Sequence, residues 1–306
     1  MKLLIIGNSD LVNRKILPAA TKVSKIKSID IASKSLKTNN NQNLNHLYKN
    51  YKSGLTRSEA DTVYVSLPNS MHYEYSIKAL NHGKNVIVDK PAIIEPWQLE
   101  KVYSLAKKNN LAISMSCVFN YHKAWKKFKQ ISLTEGQQGT LLASFTIPKL
   151  PINNIRMSNK LSGGAINDMG IYASSLGYLF WGKKAKSVKV NTFKEKKLVV
   201  GFTVSSNFGN GKDFIGHFGF DKIYTNKVQF SNSNSISEYK RVFSPPADFK
   251  TSITKRTNSD TKEYLVGKDD SFKNFFVRLI NEMEASKASV RNEFNELNSE
   301  YLKILK

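Results

Sequence analysis

The first 120 residues alternate short apolar runs with segments of helical period, and that rhythm restricts the fold more than any other feature of the chain. Residues 2–6 read as a buried strand, 11–23 as a helix, and 29–32 and 61–67 as two more strands. A helix over 70–82 closes on Gly83, the residue type that follows a helix C-terminus. A strand over 85–88, a helix over 95–109 and a strand over 111–118 complete the series. Strand and helix in this succession predict right-handed crossovers and a doubly wound parallel sheet. The Asn-rich stretch 37–50 is low in complexity and reads as a loop with a weak helix.

Beyond about residue 130 the pattern changes. A strand over 140–147 precedes a loop-rich stretch, 148–162, containing Pro148 and Pro151. A helix starts near Gly163-Gly164 and runs to about Trp181, and residues 186–239 hold four or five strand-like runs. Two helical segments, 269–285 and 290–305, end the chain. Strands in succession without intervening helices predict a largely antiparallel sheet. The fold class is therefore α/β: a parallel doubly wound domain over 1–120, then an α+β domain with an open, largely antiparallel sheet over 121–306.

Composition narrows the function. With 40% hydrophobic and 11% aromatic residues, the 306-residue chain can bury a core and is not disordered as a whole. No apolar run approaches the ~20 residues of a membrane span. The apolar stretch after Lys2 is too short for a signal-peptide core, so the cytoplasm is the expected compartment. The single cysteine, Cys117, excludes an intramolecular disulfide framework and reads as a buried strand residue. No His, Asp and Glu cluster has metal-ligand spacing, so no metal is expected. The net charge of +23 comes from 40 Lys and only 7 Arg, beside 30 Asn, a bias that AT-rich codons produce. Arg is the preferred reader of bases and phosphates, and the lysines are spread along the chain. Nucleic acid is therefore not the expected partner; the positive field suits an anionic small molecule.

The segment Gly7-Asn8-Ser9-Asp10-Leu11-Val12 sits where a dinucleotide-binding turn belongs. Of the three fingerprint glycines only Gly7 is present; Ser9 and Val12 hold the other two places. A plain strand-to-helix turn explains this segment about as well. Gly7, Ser9, Asp10 and Leu11 are the candidates for the phosphates, through the Ser9 hydroxyl and the N–H groups that open the helix. At the end of the second strand the chain reads Ile31-Ala32-Ser33-Lys34-Ser35. Asp30 lies too early for the ribose and reads as a solvent-side strand residue. Ser33 and Lys34 suit a 2′-phosphate, which favours NADP over NAD.

Three further segments are Leu67-Pro68-Asn69-Ser70-Met71-His72, Gly83 to Pro91 with Val88-Asp89-Lys90-Pro91 at its end, and Gly163-Gly164-Ala165-Ile166-Asn167-Asp168-Met169-Gly170-Ile171-Tyr172. In this order and at these separations they resemble the Gfo/Idh/MocA oxidoreductases, over nearly the whole chain. The resemblance implies a Rossmann dinucleotide-binding domain followed by a substrate-binding and oligomerisation domain. It places Lys90 beside the nicotinamide and the reacting carbon, with Pro91 shaping the turn and Asp89 standing in for the usual glutamate. Leu67, Pro68, Asn69 and His72 fall on the cofactor side. Asp168 and Tyr172 are four residues apart on one helix face. Tyr172 replaces the histidine of many relatives; a free phenol titrates near pH ~10, and a neighbouring ammonium favours its ionised form. This gives Lys90 an electrostatic role, with Asp168 binding substrate hydroxyls or keeping Lys90 charged. Tyr121 and His122 follow the fifth strand, where relatives line the substrate site. Arg156, one of the few arginines, is a candidate for an anionic substrate group. Residues 241–248 carry no assignable chemistry.

The activity so implied is hydride transfer between nicotinamide and a carbinol or ketone of a sugar, cyclitol or nucleotide sugar. A homo-oligomer formed through the C-terminal sheet is expected by analogy. The alternative is a non-catalytic NAD(P)-binding regulator of the same fold, which the degenerate glycine turn favours and the retained Lys90, Asp168 and Tyr172 oppose.

Overall fold

Leu3 to Ile6 are fully buried and make β1 (Lys2–Ile6) the centre of a six-stranded parallel sheet. The computed structural model describes residues 1–35, 44–220 and 222–306. Around β1 stand β2 (Ser28–Ala32), β3 (His46–Tyr48), β4 (Thr62–Val65), β5 (Asn85–Val88) and β6 (Ile113–Met115), in the order β3-β2-β1-β4-β5-β6. The interior strands are apolar on both faces because crossover helices cover both, which is why they read as unbroken apolar runs. Those helices include α1 (Leu17–Ala20, preceded by a π-helical turn Val12–Ile16), α2 (Tyr51–Arg57), α3 (Asn69–Asn81) and α4 (Pro96–Lys108). Gly83 follows α3 with φ +70°, as its position in the sequence requires.

Part of the expected 37–50 loop, up to residue 43, lies outside the described residues. Its later part holds β3, a sixth strand that the sequence concealed, because a three-residue strand beside an Asn-rich tract has no readable period. Asp30 corrects a second expectation. It is 5% exposed and turned inward, accepting hydrogen bonds from Ser58 Oγ at 2.5 Å and Asn45 Nδ2 at 3.1 Å.

The chain divides into two units. The first comprises Met1–Ser116 with Phe272–Asn298, and the second Cys117–Ser271 with Ser299–Lys306. A single boundary near residue 120 does not describe this return of chain. α7 (Ser271–Ala285) and the first part of α8 (Lys287–Leu305) belong to the first unit, where Phe276 packs on Tyr64 and Arg291 donates to the Leu111 carbonyl at 2.7 Å.

The second unit is built on eight strands: β7 (Gly139–Thr146), β8 (Ser187–Glu195), β9 (Leu198–Asn207), β10 (Lys212–Gly219), β11 (Thr225–Ser231), β12 (Ile236–Lys240), β13 (Ser252–Arg256) and β14 (Thr261–Leu265). Their order is β14-β13-β12-β11-β7-β10-β9-β8, antiparallel throughout except for the central β7–β10 pair. The sequences of β13 and β14, SITKR and TKEYL, are short and charged, and β14 is largely exposed, so their period is weak. α5 (Lys123–Ser132) packs on β12 and β13, and the apolar α6 (Ala165–Trp181) on β9 and β10. Among the described residues no helix is long and apolar enough to cross a membrane.

Candidate active site

In the first unit, one row of residues lies just beyond the carboxyl ends of the strands. Gly7, Ser33, Ser66, Asp89 and Ser116 each continue the ladder by one N–H, to the carbonyls of Ala32, Tyr48, Ile6, Val65 and Val88. This is the edge where open parallel sheets bind ligands. Gly7 has φ +110°, and a Cβ there would stand 2.0 Å from the Ser66 carbonyl oxygen, so this position admits only glycine. Ser9 Oγ accepts from Val12 N–H at 3.2 Å and lies 3.1 Å from Ser66 Oγ. Asp10 is exposed and paired with Arg14, and Leu11 is half-exposed beside it.

Beyond β2, Ser33 is buried and bonded within its own turn to Ser35, while Lys34 is exposed with its ammonium 5.4 Å from the Tyr51 ring centre. The turn thus presents a cation and no carboxylate, since Asp30 is committed to Ser58 and Asn45. These residues fit a dinucleotide carrying an extra phosphate: a glycine-only turn at a helix start, and a lysine where a ribose-binding carboxylate would repel.

Asp89 is a hub rather than a free carboxylate. Its Oδ1 accepts from Tyr64 Oη at 2.7 Å and Ser116 Oγ at 3.0 Å, and its Oδ2 from Ser66 Oγ at 2.7 Å. Burial and the adjoining carboxylate push the Tyr64 phenol well above its ordinary pKa, so it stays a donor. None of these three donors was anticipated. The signal was present for two of them, since Tyr64 on β4 and Ser66 just past its end are two residues apart and share a face. Lys90 and Pro91 follow directly, joined by a cis peptide bond.

His72 is buried on α3, with Nδ1 2.7 Å from the Pro91 carbonyl and Nε2 2.7 Å from the Leu67 carbonyl. It spans the turns after β4 and β5, the first of which starts α3 through Pro68 and Asn69. Burial lowers its pKa, against the two carbonyls and Asp89, which favour the charged ring; Lys90 adds to the lowering.

In the second unit, Tyr172 lies one turn after Asp168 on α6. Its ring is set among Phe243, Phe145 and Phe119 at centroid distances of 4.8, 5.7 and 5.9 Å. Phe243 comes from the stretch to which the sequence assigned no chemistry; no local pattern marks it, because its partners lie far away in the chain. Arg156 Nε is 3.3 Å from Asp168 Oδ2. The Gly-Gly turn explains how: Gly164 N–H donates to the Arg156 carbonyl at 2.7 Å, and a Cβ on Gly163 would stand 2.4 Å from that oxygen. Gly170 makes room for the buried Tyr301 ring, whose hydroxyl donates to Asn167 Oδ1 at 3.0 Å. Tyr121 ends a 3-10 turn, Val118–Tyr121. His122 caps α5, its Nδ1 accepting from Ala124 N–H at 3.1 Å, which places the ring proton on Nε2. That Nε2 is buried, and burial lowers the pKa of the ring while Asp269 beside it favours the charged form.

Residues 1–117 match the family model of the Gfo/Idh/MocA oxidoreductases, described as having an NAD-binding Rossmann fold. The first 117 residues are thus similar to that family's dinucleotide-binding domain. Among its relatives, a dTDP-3,4-didehydro-2,6-dideoxy-alpha-D-glucose 3-reductase of Actinomadura kijaniata is 29% identical over 72% of this chain and 68% of that protein. A scyllo-inositol 2-dehydrogenase (NADP(+)) of Bacillus subtilis is 25% identical over 53% of this chain and 49% of that one. A solved 3-ketoreductase from Actinomadura kijaniata, in complex with NADP and TDP-benzene, superposes with a TM-score of 0.89 at 25% identity, covering 99% of this chain and 95% of that one. Against that family's pattern the chain departs in the two missing glycines, in Asp89 and in Tyr172.

Proposed function

We propose that the protein is an NADP-dependent reductase of a ketone on a nucleotide-linked sugar, working reversibly. The observation that carries this reading is the retention of a lysine and a phenol, the residue types that both polar roles of a carbonyl reductase need. Lys90 follows the Asp89 hub, and Tyr172 stands in its aromatic frame one turn from Asp168. The similarity to the dTDP-sugar reductase and to the structure holding NADP and TDP-benzene supports the substrate class. Structures of that reductase also include a variant with a tyrosine replaced by phenylalanine and variants with a lysine replaced by alanine or glutamate.

NADPH, when bound, supplies the hydride. Tyr172 gives its phenolic proton to the carbonyl oxygen as that oxygen gains charge, and takes one back in the oxidative direction. Lys90 is assigned to the charge that develops on the reacting oxygen. Arg156 fixes Asp168 through its Nε, which leaves its outer guanidinium nitrogens for an anionic substrate group. Tyr121 and His122 are assigned to substrate contacts. Gly7, Ser9, Asp10 and Leu11 take the pyrophosphate side, Ser33 and Lys34 the 2′-phosphate, and Leu67, Pro68, Asn69, His72, Asp89 and Pro91 shape the nicotinamide side. We place the protein in the cytoplasm and assign the outer face of the eight-stranded sheet, where Ile215 is 49% exposed, to contact with a second copy.

The test is a fluorescence titration with NADPH, then turnover with a panel of nucleotide-linked keto sugars and free sugars. NADPH binding and turnover of a nucleotide-linked substrate are expected. Lys90→Ala and Tyr172→Phe should each lower kcat/KM by about 100- to 10,000-fold. Tight NADPH binding with no turnover of any substrate tried would instead favour the regulator, and undiminished activity in both variants would overturn the site assignment.

A further inference from the structure

The turn after β1 keeps one fingerprint glycine of three, yet proton counting shows how it is held. Ser66 Oγ lies 2.7 Å from Asp89 Oδ2 and 3.1 Å from Ser9 Oγ. A carboxylate only accepts, so the single Ser66 hydroxyl proton goes to Asp89. The Ser9 proton therefore makes the Ser9–Ser66 bond, with Ser66 accepting. Val12 N–H in turn donates to Ser9 Oγ at 3.2 Å. The bonds form one directed chain, from the Val12 amide through Ser9 and Ser66 to Asp89, and end on the carboxylate that also takes the protons of Tyr64 and Ser116.

Bonds aligned in this way polarise one another, and the terminal charge strengthens the chain. The geometry also removes the difficulty of a serine at a glycine position. A fingerprint glycine lets the backbone approach the pyrophosphate because no side chain stands in between. Here the Ser9 side chain is drawn toward β4, so it does not occupy the outward side of the turn. Its far end reaches Asp89, whose next residue is Lys90.

We propose that this hydroxyl chain replaces the missing glycines and couples the phosphate turn to the segment bearing Lys90, which makes Ser66 a positioning residue for both. The inference rests on the NADP-oxidoreductase reading for its consequence in catalysis, but the coupling itself is a property of the cofactor-free protein. Ser66 is 4% exposed and needs no contact with cofactor or substrate to act.

The experiment compares Ser66→Ala, Ser66→Thr and Ser9→Gly with the parent protein, reading amide hydrogen exchange without cofactor, NADPH affinity by fluorescence, and kcat separately from KM. In Ser66→Ala, exchange at the Val12 amide and across residues 89–92 should each quicken about tenfold, with NADPH binding about tenfold weaker and kcat reduced. Ser66→Thr keeps the hydroxyl and should restore most of each property. Ser9→Gly, which moves the turn closer to the fingerprint, should nevertheless weaken NADPH binding. Unchanged exchange at residues 89–92 in a folded Ser66→Ala protein overturns the coupling, as does tighter NADPH binding by Ser9→Gly. Because exchange is read without cofactor, a parent protein that fails to bind NADPH would sink the functional reading while the exchange result still decides the chain.

Discussion

At the carboxyl edge of the parallel sheet, side chains are placed by the backbone ladder and by hydroxyl bonds; at the start of α6 they are placed by aromatic rings and one ion pair. Asp89 sits one residue past β5 and is held by Tyr64, Ser66 and Ser116, all close to it in sheet register. Tyr172 is held by Phe119, Phe145 and Phe243, drawn from three distant parts of the chain. The first arrangement is directional and short-ranged, and its loss is measured in single hydrogen bonds. The second rests on area and shape, so its loss reaches the core. Substitutions in the two regions should therefore separate stability from catalysis in opposite ways.

Phe243→Ala breaks this contrast most severely. Phe243 is 2% exposed, stacked on Phe145 at 5.2 Å and tilted against Tyr172 at 4.8 Å. Removing the ring should cost about 3–5 kcal/mol by denaturant unfolding and lower kcat as the phenol loses its wall. Phe243→Leu, which retains most of the volume, should recover stability more fully than kcat. A Phe243→Ala protein of lowered stability but parental kcat would show that the rings support the fold without orienting Tyr172.

The same contrast explains what the sequence disclosed. Strand-end residues are legible because register and a period of two fix their neighbours, so Gly7, Lys34 and Asp89 could be placed at the edge of a parallel sheet from the chain alone. The helix-face pair Asp168 and Tyr172 was legible for the same reason, with a period of four. Phe243 was not, since a ring contact between residues far apart has no local period. Asp30 misled because an acidic residue on a short strand usually faces water, whereas here the buried Ser58 hydroxyl and the Asn45 amide donate to it. β14 was hidden by the charges that an edge strand carries, and β13, next to it, by its shortness and its own charges.

An intermediate effect is expected at His72, which belongs to the hydrogen-bonded region but is fully buried like the aromatic one. Its pKa is lowered chiefly by burial, so the folded protein prefers the neutral ring while the unfolded chain titrates near pH ~6.5. The unfolded state then binds the proton more readily, and stability contributed above that value is lost as the pH falls through it. His122 and His217, also lowered by burial, act in the same direction. His72→Gln should cost about 1–2 kcal/mol at pH 8, by denaturant unfolding, for the carbonyl contacts it cannot reproduce. The gap from the parent should narrow toward pH 5. A gap that widens on acidification would mean that the ring is held as the cation.

The smallest effect is expected at Lys34, where the hydrogen-bonded region opens to solvent. Its ammonium is exposed, 5.4 Å from the Tyr51 ring, with no carboxylate in its turn. An exposed cation contributes little to an ion pair in water, so Lys34→Ala should weaken NADPH by about fivefold at low salt and leave NADH unchanged. The difference should shrink as salt screens the phosphate. Lys34→Asp puts the missing carboxylate within reach of the ribose hydroxyls and should invert the preference, tightening NADH while repelling the 2′-phosphate. Equal losses for both cofactors in Lys34→Ala would show that the lysine acts through Tyr51 and the shape of its turn rather than through charge, which would move this corner of the molecule from the first kind of region to the second.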